Sequence, residues 1–157
     1  VGCIGENYYE AILKSMLSVG HRIPKKNILI SSGPTRSKVE LLNSTRMLIE
    51  KGYNIYSTAG TAKFFKENGI DTQILYWPDE DKEPNIMEYL HDRKIDLVIN
   101  IPKNHTKREL DNGYRIRRAA VDYNIPLITN ARLASAFIYA ICKVDPTEIA
   151  IKSWDEY

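Results

Sequence analysis

Short apolar runs alternate with segments of helical apolar spacing along most of the chain. The runs predict five strands, at residues 28–30, 53–56, 72–75, 95–101 and 125–128. The segments between them carry apolar residues at intervals of three and four positions, as amphipathic helices do. Strands that alternate with helices predict an α/β fold, namely a three-layer αβα sandwich with a five-stranded, mostly parallel sheet.

Three of the predicted helices have apolar faces that can be read from the sequence. The helix over 38–51 has a face formed by Val39, Leu42 and Ile49. A polar loop is predicted over 102–113, and the helix after it is marked by Ile116, Ala119, Ala120 and Tyr123. The last helix is expected to pack on the sheet through Leu133, Phe137 and Ile141.

Residues 1–25 precede this pattern and carry one amphipathic helix. Its apolar stripe consists of Tyr9, Ile12, Leu13, Met16 and Leu17. The chain begins with Val1 rather than methionine, which favours a fragment of a longer protein, so the stripe is expected to be exposed and to belong to a missing neighbour. The predicted organisation is a helical remnant and linker over 1–25 and an α/β domain over 26–157.

The composition excludes several classes of protein. A chain of 157 residues buries a sizeable core without disulfides or metal. Its 22 Lys and Arg against 20 Asp and Glu leave a net charge of +2, which favours neither a nucleic acid nor a membrane as partner. Cys3 and Cys142 follow no metal or redox spacing, and no apolar run approaches the roughly 20 residues that span a bilayer. A cytoplasmic domain is expected.

The stretch Ser57-Thr58-Ala59-Gly60-Thr61 joins the second predicted strand to a helix. A strand that ends at a helix N-terminus presents free backbone N–H groups and the positive end of the helix dipole. Phosphate or carboxylate is the ligand that such a cradle favours. The alternative is that Thr58 only caps the helix and Gly60 only permits the turn.

Polar residues also follow the other strands. Because the carboxyl ends of parallel strands meet at one edge of a sheet, these residues are expected to line one pocket. Hydroxyls, amides and lysines are donors, so the predicted ligand is an anion. The candidates outside the cradle are Ser31, Ser32, Gly33, Thr35, Lys38, Trp77, Asn100, Lys103, Asn104, Thr106, Lys107, Thr129 and Asn130. Each has a structural alternative, such as a solvated lysine, a core aromatic or a charged loop over 103–108.

Four motifs resemble a known family: STAGT at 57–61, IDLVIN at 95–100, YRIRRAA at 114–120 and IPLITN at 125–130. They are similar to the methylglyoxal-synthase-like fold and, more closely, to the C-terminal regulatory domain of the large chain of carbamoyl phosphate synthetase. The resemblance covers roughly residues 27–143 and implies that 1–25 end the preceding ATP-grasp half.

The resemblance also implies a parent ligase that makes carbamoyl phosphate from bicarbonate, glutamine-derived ammonia and ATP, for arginine and pyrimidine synthesis. The implied partners are the remaining large-subunit domains, the glutamine-hydrolysing small subunit and a small anionic effector. No cofactor is expected in this chain, because ATP and metal ions belong to the catalytic part.

The resemblance argues against catalysis by this chain. Methylglyoxal synthase uses an aspartate after strand three and another after strand four, and the corresponding places here hold Glu83 or Pro84 and Lys103. A protonated lysine is unsuited to abstract a proton next to a carbonyl. No catalytic residues are therefore assigned. A stand-alone lyase of that type and a purely structural or oligomerising domain stay open as alternatives.

Two effector patterns of the synthetase family match in part. The residues that match nucleotide-regulated members are Lys38, Thr58, Thr61 and Asn100, but Trp77 replaces a second lysine. The residues that match acetylglutamate-activated members are Thr58, Thr61, Trp77, Asn100 and Asn112, but Lys103 replaces an asparagine. The resemblance favours an N-acylated amino acid over a nucleotide monophosphate, and the identity and sign of the effector stay open. With Gly60 of the cradle, these residues form the predicted effector site.

Overall fold

The computed structural model describes residues 1–103, 106–149 and 152–156. Its sheet consists of β1 (Asn27–Ser32), β2 (Asn54–Ser57), β3 (Gln73–Ile74), β4 (Leu97–Ile101) and β5 (Leu127–Ile128). The strand order is β3-β2-β1-β4-β5, and each neighbouring pair is parallel. The predicted α/β fold is confirmed, and the sheet expected to be mostly parallel is parallel throughout the described residues.

The helices form a layer on each face of the sheet. The described residues contain α1 (Tyr8–Ser18), α2 (Thr35–Glu50), α3 (Ala59–Glu67), α4 (Ile86–His91), α5 (Lys107–Asp122) and α6 (Ala131–Lys143), followed by two short 3-10 turns, Pro146–Glu148 and Trp154–Glu156. One apolar cluster joins α1, α2, α3 and α6 to the sheet, and a second joins α4 and α5 to its other face. This arrangement is the expected three-layer sandwich.

The strand β4 shows why the apolar pattern identified the fold. Leu97 and Ile99 belong to the first cluster, whereas Val98 between them belongs to the second, and all three side chains are fully buried. The middle of a strand that is covered on both faces favours apolar side chains, so residues 97–99 are continuously apolar. The polar Asn100 lies next to the end of the strand.

The predicted apolar face of α2 is wrong for two of its three residues, since only Leu42 packs against the core. Val39 is 55% exposed and Ile49 is 40% exposed, whereas the buried face contains Leu41, Ser44, Thr45 and Leu48. The hydroxyls of Ser44 and Thr45 donate to the backbone oxygen of Leu41, at 3.1 and 2.7 Å, and this satisfies them without water. A search for apolar positions alone overlooks a face that contains two satisfied hydroxyls.

The predicted polar loop over 102–113 is too long, because α5 begins at Lys107. Thr106 caps this helix by accepting a hydrogen bond from the Glu109 N–H at 3.2 Å. The first turn is charged and faces solvent, so no apolar spacing marks it. The last helix does pack through Phe137 and Ile141, but Leu133 lies on its exposed side.

The apolar stripe of α1 is covered within this chain, contrary to the prediction of an exposed face. Leu13 is fully buried and Met16 is nearly so, and both belong to the cluster that includes α6. The ring of Tyr9 stacks on Tyr139 of α6, with 6.1 Å between centroids. Residues 8–18 therefore complete the core of the α/β domain. The derivation of 1–25 from an ATP-grasp half stays a prediction.

Cys3 and Cys142 are free thiols. Among the described residues, no helix is both long and apolar enough to cross a bilayer. The described part of the chain also contains no cluster of His, Cys, Asp and Glu side chains that could hold a metal ion.

We expect Leu13→Ala to lower the free energy of unfolding by about 2–5 kcal/mol, because it leaves a cavity between α1 and the core. Val19→Ala at the end of the same helix is the matched control, because Val19 is 58% exposed and its loss is expected to cost less than about 0.5 kcal/mol. Urea unfolding followed by circular dichroism measures both. Equal midpoints for the two variants would show that α1 does not pack on the domain.

Candidate functional site

A cavity of about 340 Å3 lies at the carboxyl edge of the sheet. It is lined by the ends of β1, β2 and β4, by the first turns of α2, α3 and α5, and by the loops after β3 and β4. The candidates from the sequence that line it are Ser31, Ser32, Gly33, Lys38, Thr58, Gly60, Thr61, Trp77, Asn100 and Lys103. The parallel sheet thus brings together residues that are far apart in sequence.

The cradle, residues 57–61, runs from the end of β2 into the first turn of α3. Thr58 is the N-cap residue of α3, yet its side chain makes no capping hydrogen bond. Its hydroxyl oxygen lies 3.3 Å from that of Thr61 and 3.4 Å from that of Ser31. Gly60 lies within α3, and a Cβ added to it would meet nothing within 4 Å. Thr58 thus holds the N-cap position without a side-chain cap, and Gly60 lies inside the helix rather than in a turn. Binding of an anion by the cradle stays a prediction.

Two hydroxyls in the wall of the cavity have different environments. The Thr61 hydroxyl accepts a hydrogen bond from the Ser32 N–H at 3.0 Å, which ties α3 to β1. The Ser32 hydroxyl is buried and has no hydrogen-bond partner within the described ranges. A buried hydroxyl without a partner costs free energy, and the contacts within the described residues do not offset this cost.

Lys38 approaches the cradle from α2. Its ammonium donates to the backbone oxygen of Gly60 at 3.2 Å and lies 5.8 Å from the ring centre of Phe64. Partial burial, together with the positive charge of Lys103, lowers the pKa of Lys38 below its ordinary value. Two like charges at one cavity destabilise each other, and an anion between them relieves this repulsion.

Lys103 reaches the cavity because residue 33 is a glycine. A Cβ at Gly33 would lie 2.0 Å from the Lys103 Cβ, and the Gly33 N–H donates to the backbone oxygen of Ile101 at 3.0 Å. The Lys103 ammonium lies 3.6 Å from a carboxylate oxygen of Glu109. Any larger residue at 33 would push the loop after β4 away from β1.

Asn100 at the end of β4 is held in one orientation by Arg117. The guanidinium donates to the Asn100 side-chain oxygen at 2.7 Å, and because arginine only donates, the amide NH2 is left for the cavity. Gly113 makes room for this contact, since a Cβ there would lie 2.9 Å from an Arg117 nitrogen and 3.7 Å from the Asn100 oxygen. The sequence marked neither Arg117 nor Gly113 as part of the site.

Arg108 connects the loop after β3 to α5. Its guanidinium donates to both carboxylate oxygens of Asp79, at 2.5 and 3.2 Å, and lies 3.8 Å from Glu80 and 5.4 Å from the ring centre of Trp77. The Asp79 carboxylate raises the pKa of Arg108, and Arg108 lowers the pKa of Asp79. Arg108, Glu80 and Glu109 line the cavity and were missed, because their acidic and basic segments resembled solvated loops.

Several predicted residues lie elsewhere. Asn112 is buried in α5 and donates to the backbone oxygen of Arg108 at 3.1 Å, but it does not line the cavity. Thr106 and Asn130 cap α5 and α6. Asn104 lies outside the described residues. Three further predicted residues do not line the cavity, namely Thr35, Lys107 and Thr129.

The charges of the cavity suit a small anion. The described lining contains three cationic side chains, Lys38, Lys103 and Arg108, and two carboxylates, Glu80 and Glu109. Lys103 and the Thr106 hydroxyl both stabilise the ionised Glu109 and lower its pKa, with the hydroxyl the larger cause. Glu83 does not line the cavity; its carboxylate accepts a hydrogen bond from the Asn85 N–H at 3.0 Å. Each acidic group of the described lining therefore has a basic neighbour.

Comparison with known proteins identifies one matching family and several similar proteins. The family described as "MGS-like domain" matches residues 40–129. The chain is 44% identical to "Multifunctional protein CAD" of Squalus acanthias over 94% of its length, and 38% identical to human "Carbamoyl-phosphate synthase [ammonia], mitochondrial" over 91%. It spans only 7% and 10% of these two relatives.

A solved structure has the same fold. Methylglyoxal synthase from Elizabethkingia anophelis superposes with a TM-score of 0.51 at 17% identity, covering 73% of this chain and 77% of that one. At this identity the likeness concerns the fold alone. The family match and the two relatives, together with this fold, confirm the resemblance read from the four sequence motifs.

We expect Gly113→Ala to displace Arg117 and release Asn100 without unfolding the domain. Alanine in a helix is more favourable than glycine by about 1 kcal/mol, so stability is expected to stay the same or rise. Gly60→Ala is the control, because its Cβ enters open space. The measurement is the NMR shift of the Asn100 side-chain NH2. A shift that moves equally in both variants, or in neither, would contradict the arrangement.

Proposed function

The chain belongs to the MGS-like domain family, and from this premise we propose that it is the effector-binding regulatory domain of a carbamoyl phosphate synthetase large chain. On this proposal the parent enzyme makes carbamoyl phosphate from bicarbonate, glutamine-derived ammonia and ATP. The remaining large-subunit domains and a glutamine-hydrolysing small subunit are its partners. This domain binds a small anion and carries no catalytic residue.

The observation that supports the proposal is the set of donors around one cavity. The Thr58 and Thr61 hydroxyls, the Ser32 hydroxyl and the Lys38 ammonium converge at the N-terminus of α3. Backbone N–H groups at a helix N-terminus and the helix dipole both favour an anion there.

The size and walls of the cavity support a metabolite as ligand. Its volume of about 340 Å3 lies at the lower end of the range typical of small-molecule sites, about 300–1,000 Å3. Trp77 provides an apolar surface with one N–H donor, which suits an acyl chain or a sugar face. Lys38 and Lys103 provide two positive charges. We favour an N-acylated amino acid as the effector and keep a nucleotide monophosphate as the second candidate.

Regulation then follows from linkage. An effector that binds one conformation of this domain more tightly shifts the whole enzyme toward that conformation, by no more than its difference in affinity for the two. Couplings between sites are typically about 1–3 kcal/mol. That range suffices to change the activity of the catalytic part severalfold.

We expect isothermal titration calorimetry to detect saturable binding of N-acetylglutamate among four ligands, the others being uridine monophosphate, inosine monophosphate and inorganic phosphate. Thr58→Ala and Lys38→Ala are expected to abolish binding and leave the fold intact, because each removes a donor at the helix N-terminus. Thr129→Ala is the matched control, since Thr129 lies on the same edge of the sheet but outside the cavity lining.

The outcomes of this titration separate the alternatives. Binding of a nucleotide alone would change the ligand class and keep the site. Absence of binding by all four ligands, or unchanged affinity in both the Thr58 and the Lys38 variant, would overturn the proposal. Release of phosphate from dihydroxyacetone phosphate would instead favour a lyase of the methylglyoxal synthase type.

We expect the affinity for N-acetylglutamate to fall as the pH rises through the lowered pKa of Lys38, which lies below the ordinary lysine value of 10.5. A bound anion stabilises the charged ammonium. At a pH where part of the free protein carries a neutral Lys38 amine, binding must therefore be accompanied by protonation of that amine. Both carboxylates of the ligand stay ionised over this range. The loss of affinity is therefore due to the protein.

Lys38→Arg is the control for this prediction, because a guanidinium stays charged throughout the accessible pH range. Its affinity is expected to stay constant where that of the wild-type domain falls. Calorimetry at several alkaline pH values measures both. Parallel decline in the two proteins would show that Lys38 does not contact the ligand.

A further inference from the structure

One wall of the cavity is formed by contacts between the loop after β3 and the first turn of α5. Trp77, Asp79 and Glu80 belong to the loop after β3, and Arg108 belongs to the first turn of α5. The Arg108 guanidinium lies over the Trp77 ring, with 5.4 Å to its centre, and donates to both oxygens of Asp79. The indole face that a ligand would contact is therefore partly covered by a cation.

Glu80 poses an electrostatic problem for an anion in this cavity. Its carboxylate lines the cavity and accepts a hydrogen bond from the Trp77 backbone N–H at 2.8 Å, which holds it in place. An anionic ligand is repelled by this group unless a cation lies between them. Arg108, at 3.8 Å from Glu80, is the cation so placed.

We propose that Arg108 is a second anion contact of this site and determines its specificity, by exchanging its Asp79 partner for a distal anionic group of the ligand. The inference rests on the proposed function and deepens it. The first anionic group binds at the cradle, beside Thr58, Thr61 and Lys38. The second binds at Arg108, so the preferred ligands carry two separated anionic groups.

The exchange is physically feasible because the pair that breaks is exposed. The side chains of Arg108 and Asp79 are 57% and 35% exposed, and ion pairs in such positions contribute little to stability. A carboxylate or phosphate offers the guanidinium the same two-oxygen geometry that Asp79 offers. Asp79 is already in contact with solvent and is hydrated after release.

The exchange also changes the protein. Arg108 holds the loop after β3 against α5, so its transfer to a ligand removes the ion pair with Asp79 and leaves Asn112 as the side chain of α5 that bonds Asp79. A ligand with only one anionic group fills the cradle and leaves this link intact. The two kinds of ligand therefore differ in their effect on the two loops.

A calorimetric cycle between ligand and protein tests the proposal. The ligands are N-acetylglutamate and two compounds that each lack one of its carboxylates, N-acetyl-4-aminobutyrate and N-acetyl-2-aminobutyrate. We expect Arg108→Gln to weaken N-acetylglutamate about tenfold, as the loss of one charge-assisted hydrogen bond does. The penalty is expected to vanish for the compound that lacks the carboxylate bound by Arg108.

The Asp79→Asn variant tests the exchange itself. It removes the competitor for Arg108, so N-acetylglutamate is expected to bind severalfold more tightly. Asp81→Asn, in the same loop, is the control and is expected to leave affinity unchanged. Arg108→Lys keeps the positive charge but loses the two parallel N–H donors of the guanidinium. It is expected to weaken binding less than Arg108→Gln does.

The remaining outcomes overturn the inference. An equal Arg108→Gln penalty for all three ligands, or no gain from Asp79→Asn, contradicts the exchange. If Thr58→Ala abolishes binding while Arg108→Gln has no effect, the inference fails and the proposed function stands. Absence of N-acetylglutamate binding overturns the inference, and the proposed function falls with it only if the nucleotides and phosphate also fail to bind.

Discussion

The parallel pairing of β1 with β2 on one side and β4 on the other positions every part of the site. In the register of these pairs, Ile30 lies beside Ser57 and Ser31 lies beside Asn100. The last residues of β1 and β4, Ser32 and Ile101, lie side by side, and β2 ends two residues earlier, beside Ile30. The chain leaves all three strands at the same edge of the sheet, toward the same cavity. A slip of one residue between β1 and β4 would turn Asn100 to the opposite face of the sheet. The buried faces of both strands prevent such a slip, because it would move Leu97 and Ile99 out of their apolar cluster and onto the opposite face of the sheet.

The same constraint explains which parts of the molecule were predictable. Continuous apolar runs identify the buried strands, and the convergence of parallel strands at their carboxyl ends correctly places Lys38, Thr58, Asn100 and Lys103 around one pocket. The site residues that the sequence analysis missed depend on contacts with other side chains that no local pattern shows. The Arg108 partner Asp79 is 29 residues away, and both lie in charged stretches that resemble solvated loops. The role of Gly113 depends on an arginine one turn further along α5, and no local pattern distinguishes it from an unfavourable helix residue.

The prediction for helix α1 was wrong for a different reason. Its apolar stripe was identified correctly, and only its partner was missed. A sequence indicates that a face must be buried but not against what, and here α6 supplies the surface through Tyr139 and the cluster around Phe137. Ser44 and Thr45 show the reverse case, in which a buried face is hidden because its hydroxyls bond to the backbone of their own helix.

The cavity combines a rigid side with an adjustable side. The rigid side consists of strand ends and the α3 cradle, where Ser31, Thr58, Thr61 and Asn100 are buried and connected by hydrogen bonds or by contact with β1. The adjustable side consists of the loop after β3 and of Lys103, which exposed ion pairs join to Arg108 and Glu109 of α5. Buried networks are costly to rearrange, whereas exposed ion pairs exchange partners at little cost. A ligand held at the cradle would therefore change the loops rather than the sheet. On the proposed regulatory function this division is useful, because the binding site would keep its shape while the surface next to it responds.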